Sequence, residues 1–135
     1  MNTLLRSARP QSDELRGYRV LVVEDDYFVA VDLCATLRAC GATVLGPAPS
    51  ITVARSIARE EPPDCALLDV NLHGDFVFQL AEELQARGIH TIFTTGYDPE
   101  FIPPQLRHTS CLQKPVETNA LVRSIRTERP RDVPA

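Results

Sequence analysis

The stretch from Arg19 to Asp26, RVLVVEDD, decides the fold. Its branched apolar run, Val20 to Val23, is typical of a short strand that is buried on both faces of a parallel sheet. Acidic residues follow directly, at Glu24, Asp25 and Asp26. Because ligands bind at the carboxyl ends of the strands in such sheets, we expect these carboxylates to lie in a functional site.

Short strand-like runs alternate with helical patterns along the rest of the chain. Parallel strands joined by helices form a sheet with right-handed crossovers and helices on both faces. We therefore predict an α/β fold with a doubly wound, five-stranded parallel sheet. In the first helix, Phe28, Leu33 and Leu37 are assigned to the inward, apolar face. The predicted strands are 19–23, 43–45, 65–68, 91–94 and 110–113, and the predicted helices are 28–39, 51–61, 76–86 and 117–127.

The crossover between the fourth and fifth strands contains too many prolines for a regular helix. Pro99, Pro103 and Pro104 lie within residues 98–108. Each proline lacks an N–H donor and disfavours the helical conformation of the residue before it, so at most one turn of helix fits. The sequence therefore predicts a degenerate fourth helix.

The chain has the length and composition of one globular domain. Its 135 residues are 44% hydrophobic and 24% charged, and the formal net charge is −4. This charge gives little drive for association with nucleic acid, so we predict no direct nucleic-acid partner. We assign residues 1–17 to a flexible N-terminal tail, 18–127 to the domain and 128–135 to a flexible C-terminal tail.

We also expect a cytoplasmic protein without a membrane partner. No apolar run approaches the roughly 18 residues that span a bilayer, and no secretion signal is recognisable. The four cysteines, Cys34, Cys40, Cys65 and Cys111, form no CxxC pair. We therefore expect reduced thiols that pack as small apolar groups.

The ends of the other strands add polar groups to the acidic residues 24–26. Asp69 follows the third strand, Thr95 the fourth and Lys114 the fifth. Carboxylates that converge in one cleft repel one another, and hard oxygen ligands suit Mg²⁺, which we predict as the cofactor. An Asp carboxylate is also a nucleophile towards phosphorus when cations absorb the charge on the transferred group.

Taken in order, four segments resemble the receiver domain of two-component response regulators, the CheY-like fold. They are VLVVEDD at 20–26, LLDVNLHG at 67–74, FTTGY at 93–97 and LQKP at 112–115, and the resemblance extends over residues 18–127. It implies a phosphoacceptor rather than an enzyme. The phosphoryl donor would be a histidine kinase or a histidine phosphotransferase, and the output would pass to a downstream protein that the sequence does not identify.

The resemblance also implies roles for the residues that match the family's motifs. Asp69 would be the phosphoacceptor and would bind Mg²⁺ together with Asp25 as a direct ligand. Glu24 would act on the metal through water, and Asn71 would offer its backbone carbonyl. The next acidic residue, Asp26, is interpreted as the cap of the first helix.

Two further positions would contact the phosphoryl group after transfer. By the same resemblance, the Thr95 hydroxyl would donate a hydrogen bond to a phosphoryl oxygen. Lys114 would pair with the phosphoryl charge and would precede a cis peptide bond to Pro115.

The chain departs from the family at the positions that report phosphorylation. Cys111 stands where an aromatic residue is usual, three residues before the lysine. The segment IFTTGY at 92–97 resembles the motif of stand-alone receivers called FATGUY, which serve stress signalling, with Thr94 in place of the alanine. Tyr97 either takes over the missing aromatic switch or covers the rim of the site.

The resulting hypothesis is a single-domain response regulator in two-component signalling, with three alternatives. A phosphate sink would drain a kinase without an output partner. A haloacid-dehalogenase-type phosphatase also uses a nucleophilic Asp and Mg²⁺, but it needs a DxD pattern after the first strand, where this chain has VVEDD. A scaffold without phosphoryl chemistry is disfavoured because Asp25, Asp69, Thr95 and Lys114 are all present.

Overall fold

The main sheet has the predicted strands and the predicted order of elements. A computed structural model describes residues 11–72, 75–96 and 102–127. All strands of this sheet are parallel, which confirms the doubly wound α/β fold. The strands are β1 (Arg19–Val23), β2 (Thr43–Ala48), β3 (Cys65–Asp69), β4 (His90–Thr95) and β5 (Ser110–Gln113), and their spatial order is β2-β1-β3-β4-β5. The α-helices are α1 (Tyr27–Ala39), α2 (Ile51–Glu60), α3 (Phe78–Ala86) and α4 (Thr118–Thr127).

Both faces of the sheet are covered by helices. Leu21 and Val23 of β1 pack with α2 and α3, whereas Val20 and Val22 pack on the opposite face with α1 and α4. Each of these four side chains is at most 1% exposed. The continuous apolar run of β1 therefore reflects burial on both faces.

Helix α1 begins directly after the acidic residues 24–26, which follow β1. The Asp26 carboxylate accepts hydrogen bonds from the backbone N–H groups of Phe28 and Val29, at 3.0 and 3.2 Å. These bonds satisfy two of the donors that a helix leaves open at its start. The prediction that Asp26 caps the first helix is confirmed.

The prediction that Phe28 faces inward is wrong. Its side chain is 81% exposed, whereas Ala30, Leu33 and Leu37 are buried against the sheet. Residues three and four apart share a face of a helix, and Phe28 lies only two residues before Ala30. Its ring therefore projects from the opposite side of the helix.

Strand β2 extends to Ala48, beyond the predicted end at residue 45. It passes through Gly46, whose φ is +97°, and through a cis peptide bond to Pro47. A Cβ at Gly46 would lie 2.8 Å from Ala48 N and 3.0 Å from Val22 O, so only glycine fits there without displacement of the backbone. Glycine and proline usually interrupt strands, which is why the sequence pattern ended this strand early.

Residues 11–17 are packed against the domain, so the tail predicted for them is wrong. Leu15 is fully buried and lies in the core beneath α1 and α4. The N–H groups of Gln11 and Ser12 donate to Ala39 O at 2.7 and 3.0 Å, and the Leu15 N–H donates to Cys40 O at 2.8 Å. The segment thus supplies donors for carbonyl groups that helix α1 leaves open at its end. The predicted tails at 1–10 and 128–135 lie outside the described residues.

A short hairpin separates β3 from α3, in place of the predicted start of a helix at residue 76. Asn71–Leu72 pairs antiparallel with Asp75–Phe76, and we call these two strands the acceptor hairpin because they follow Asp69, the predicted phosphoacceptor. Helix α3 then begins at Phe78. Phe76 pairs with Asn71 of the strand that follows β3, and this pairing outweighs the helical pattern at residues 76 and 77.

The crossover between β4 and β5 contains no regular helix in its described part, residues 102–109. Pro104–Leu106 forms a single 3₁₀ turn, as the prolines predict. The helix that would join β4 to β5 is therefore degenerate, and α4 is the helix that follows β5. Ile102 and Leu106 are nonetheless buried in the core beside α2 and α3. Residues 97–101 of this crossover lie outside the described residues. Among the described helices, none has the length and apolar character that crossing a bilayer requires.

Candidate functional site

Three carboxylates meet at the carboxyl ends of β1 and β3. Glu24 and Asp25 follow β1, and Asp69 is the last residue of the neighbouring β3. Each residue offers one carboxylate oxygen, and these oxygens lie within 4.8 Å of one another. Glu24 is 3% exposed and Asp69 is 6% exposed, while Asp25 is half-buried. The structure thus brings together the acidic residues that the sequence placed in one site.

Lys114 brings a positive charge to this cluster from the end of β5. Its Nζ lies 2.8 Å from Glu24 Oε1 and 3.3 Å from Asp69 Oδ1. The Lys114 backbone N–H donates to Thr95 O at 2.9 Å, and the peptide bond to Pro115 is cis, as predicted. Lys114 therefore bridges the two most buried carboxylates.

One ammonium does not balance three carboxylates, and the local pKa values reflect this. Burial and the nearby charge of Glu24 raise the pKa of Asp69 to about 7, although Lys114 acts in the opposite direction. Burial acts to lower the pKa of Lys114, but the close ion pair with Glu24 and the charge of Asp69 outweigh it, so this pKa is raised. The site therefore has an excess of negative charge at neutral pH.

The donor set fits a hard divalent cation. Glu24 Oε1 is a buried acceptor that no donor among the described residues meets at hydrogen-bonding angles, although Lys114 Nζ lies within ion-pair distance. A hydrated cation beside the three carboxylates would offer a water donor to such an oxygen and would offset their repulsion. Carboxylate oxygens are the ligands that Mg²⁺ prefers.

The two remaining predicted site residues lie beside this cluster. The Asn71 N–H, in the acceptor hairpin, donates to Asp69 Oδ1 at 3.4 Å, and Asn71 is half-buried. Thr95 is the last residue of β4 and is 2% exposed. The backbone of Thr95 is fixed between the strand partner Gln113 and the hydrogen bond from Lys114.

The positions that depart from the family lie on β4 and β5. Cys111 is half-buried and is paired in register with Phe93 of β4, and burial raises the pKa of its thiol. Thr94 is buried at 1% exposure. Tyr97 lies outside the described residues, so both interpretations of its role remain predictions.

The sequence pattern does not reveal the aromatic contact beside the acceptor hairpin. Both Phe76 and Phe78 are predicted to be helical, but Phe76 ends the hairpin and only Phe78 lies in α3. The available signal was the alternation of Phe76 and Phe78 around Val77, a period of two that is typical of extended chain. That alternation is too short to outweigh the helical pattern that follows it.

Comparisons with known proteins identify the domain. No protein-family model matches the chain. No curated protein matches it either. Among solved structures, the signal receiver domain of a modulated diguanylate cyclase from Desulfovibrio desulfuricans G20 is 33% identical, with a TM-score of 0.72, and the match covers 82% of this chain and 91% of that one.

Two further structures agree with this match. SdrG from Sphingomonas melonis Fr1 is 29% identical with a TM-score of 0.72, over 83% of this chain and 94% of that one. The receiver domain of the response regulator PhyR from Erythrobacter litoralis is 24% identical with a TM-score of 0.72, over 82% and 88%, and shows the shared fold alone. With the same fold and 33% identity across 91% of a signal receiver domain, this chain belongs to the receiver domains of response regulators, proteins of two-component signalling.

Proposed function

We propose that Asp69 accepts a phosphoryl group from a phosphohistidine of a histidine kinase or histidine phosphotransferase. The observation that supports this most strongly is the position of Lys114, whose Nζ lies 3.3 Å from Asp69 Oδ1 and 2.8 Å from Glu24 Oε1. After transfer, the negative charge of the phosphoryl oxygens takes the place of the carboxylate charge of Asp69, and an ammonium at this distance can pair with those oxygens. The same ammonium holds Asp69 beside the carboxylates of the cluster.

The proposed transfer is a displacement at phosphorus. A carboxylate oxygen of Asp69 attacks, the new P–O bond forms, and the P–N bond to the donor imidazole breaks. The electron pair of that bond stays on the imidazole nitrogen, which takes up a proton. Lys114 then contacts a phosphoryl oxygen, and the Thr95 hydroxyl donates to another.

We propose that Mg²⁺ is the cofactor of this site. Asp25 and Asp69 would bind it directly, Glu24 would act through water, and Asn71 would contribute its backbone carbonyl. When bound, Mg²⁺ supplies positive charge to the oxygens of the transferred group. Its presence also favours the ionised form of Asp69, which is the nucleophilic form.

We propose that the phosphorylated domain signals through a protein partner and does not bind nucleic acid directly. The low number of basic residues, 14 Lys and Arg against 18 Asp and Glu, supports the second part. Membership of the FATGUY receivers of stress signalling remains a prediction from the segment at 92–97. A search for proteins that bind only the phosphorylated chain separates an output partner from a phosphate sink.

The acceptor is tested by phosphotransfer from a labelled histidine kinase or from acetyl phosphate. Asp69→Asn removes the nucleophile and keeps the shape of the side chain, so we expect complete loss of the label. Asp32→Asn, on the exposed side of α1, removes one carboxylate outside the site and should leave labelling unchanged. Full labelling of Asp69→Asn, or turnover of small phosphate esters by the wild-type protein, would contradict the proposal.

A further inference from the structure

Three phenylalanine side chains connect the acceptor hairpin to the centre of the sheet. The rings of Phe76 and Phe78 are stacked, with centroids 5.5 Å apart and planes 5° from parallel. The Phe78 ring meets Phe93 edge to face, with centroids 5.7 Å apart and an angle of 85°. Both arrangements are favourable geometries for aromatic pairs. We call Phe76, Phe78 and Phe93 the aromatic cluster.

The aromatic cluster runs from the surface to the core. Phe76 is 48% exposed, Phe78 is half-buried and Phe93 is fully buried. The outer ring is therefore free to shift with the hairpin, whereas the inner ring is fixed by β4. The ring contacts would therefore transmit a displacement of the hairpin to Phe93.

The outer end of the aromatic cluster is attached to the acceptor residue. Phe76 pairs in register with Asn71 across the acceptor hairpin. The Asn71 N–H donates to Asp69 Oδ1 over the long distance of 3.4 Å. A phosphoryl group on Asp69 adds oxygens that compete for this N–H, so phosphorylation acts directly on the hairpin that carries Phe76.

The inner end of the aromatic cluster lies beside the position of the missing aromatic residue. Phe93 pairs in register with Cys111 of β5. Phe78 and Cys111 are both partly buried and pack against the same core. The cluster therefore reaches β5 at the residue where the family usually has its aromatic reporter of phosphorylation.

We propose that the aromatic cluster carries the phosphorylation state of Asp69 from the acceptor hairpin to β5. Phe78 is the essential element because it is the one ring of the three in contact with both others. Phe76 and Phe78 are positioning residues, since neither contacts the transferred group. The proposal rests on the proposed function, because it requires that Asp69 be phosphorylated.

A competing route runs through the backbone and bypasses the aromatic cluster. The Val70 N–H donates to Thr94 O at 3.0 Å, and the Lys114 N–H donates to Thr95 O at 2.9 Å. These bonds also join the acceptor strand to β4 and β4 to β5. A substitution of Phe78 separates the two routes, because it removes the ring contacts and leaves these backbone bonds in place.

Three variants of the full chain make the test. Phe78→Leu keeps an apolar side chain at the position but removes both ring contacts. Phe78→Tyr restores a ring and should rescue the wild-type behaviour. Phe28→Leu is the matched control: Phe28 forms a comparable edge-to-face pair with Tyr27, at 5.5 Å and 80°, on α1 outside the cluster.

The measurement is the change in backbone amide chemical shift on phosphorylation with acetyl phosphate and Mg²⁺, with the phosphorylated fraction checked by intact mass. In wild type, Phe78→Tyr and Phe28→Leu, we expect shifts at Asn71 and also at Cys111 and Leu112. In Phe78→Leu, we expect the Asn71 shift to remain and the shifts at Cys111 and Leu112 to be lost, at an equal phosphorylated fraction.

The outcomes separate the two proposals. If Phe78→Leu is phosphorylated and keeps the wild-type shifts at Cys111 and Leu112, the backbone route or the contact of Lys114 with the phosphoryl group carries the change, and the aromatic proposal is wrong. The same conclusion follows if Phe28→Leu loses these shifts as well. If the wild-type protein takes up no phosphoryl group, the proposed function itself fails.

Discussion

Two parts of the sheet, which we call the acceptor side and the response side, differ in how well they are packed. The acceptor side comprises β1, β3 and the carboxylates that follow them, and it lies in the middle of the sheet. The response side comprises β4, β5 and the turn at Pro104–Leu106, and β5 is an edge strand whose residues are half-buried or exposed. The carboxylates thus stand at the ends of well-packed strands, whereas β5, which Lys114 follows, and the 3₁₀ turn are more thinly covered.

This difference has a physical logic. Like charges in a cluster destabilise the folded state unless rigid neighbours keep them in place, so the acceptor side needs the central strands. Regions that change conformation belong to the less stable part of a domain. A crossover with one 3₁₀ turn buries less apolar surface than a regular helix, and the response side is therefore expected to be the first part to open.

The largest expected effect compares buried leucines on the two sides. Leu68 in β3 is fully buried, and Leu106 in the 3₁₀ turn is 1% exposed. Leu68→Ala should cost about 4 kcal/mol of unfolding free energy, because the central sheet cannot close around the cavity. Leu106→Ala should cost about 2 kcal/mol, because the short turn can collapse. Urea unfolding measures both values, and equal losses would remove the distinction between the sides.

A smaller effect separates metal binding from phosphoryl response. Asp25→Ala removes a carboxylate ligand and should weaken Mg²⁺ binding by at least about tenfold, or about 1.4 kcal/mol. Lys114→Ala should not weaken it, because an ammonium cannot bind a metal ion and its removal takes a positive charge from the site. Calorimetric titration with Mg²⁺ tests this contrast. A loss of affinity in Lys114→Ala as large as that in Asp25→Ala would show that the roles are wrongly assigned.

The smallest effect is a pH dependence of the metal-free protein. The pKa of Asp69 is raised to about 7 by burial and by Glu24, so the folded state holds a proton that the unfolded chain releases near pH 4. This contribution favours folding at low pH and is lost as the pH rises towards 7 and above. In EDTA, Asp69→Asn should therefore have a higher Tm than wild type at pH 8, with a difference that shrinks at pH 5.

Melting curves at these two pH values, with and without Mg²⁺, check this prediction. A gain of about 1 kcal/mol corresponds to a Tm shift of about 4 °C for a domain of this size. Added Mg²⁺ should raise the Tm of wild type at pH 8 and reduce the advantage of Asp69→Asn. Wild-type melting curves that coincide with and without Mg²⁺ would contradict the charge imbalance assigned to the acceptor side.

The acceptor side could be predicted from the sequence because its signals are local. The run from Val20 to Val23 requires burial on two faces, and the carboxyl ends of parallel strands lie at one edge of the sheet. Glu24 and Asp25 follow β1 and Asp69 ends β3, while Lys114 reaches the same edge of the sheet from the end of β5. Their convergence therefore depends only on the order of elements, which the alternating pattern supplies.

The remaining features depend on contacts that a local pattern does not contain. Leu15 is a single apolar residue in a polar segment, and its burial follows from the open carbonyls at the end of α1. The aromatic cluster depends on the acceptor hairpin, which pairs residues on both sides of positions 73 and 74. The exposure of Phe28 depends on the rotation of α1, which its buried leucines fix.

The most direct measurement is the chemical identification of the phosphorylated residue. Reduction of the phosphorylated protein with borohydride converts an aspartyl phosphate to homoserine, which peptide mass spectrometry locates in the chain. We expect homoserine at position 69 alone, dependent on Mg²⁺ and absent from Asp69→Asn. Homoserine at position 25 or 26, or a phosphorylated protein that yields none, would contradict the assignment of Asp69 as the phosphoacceptor.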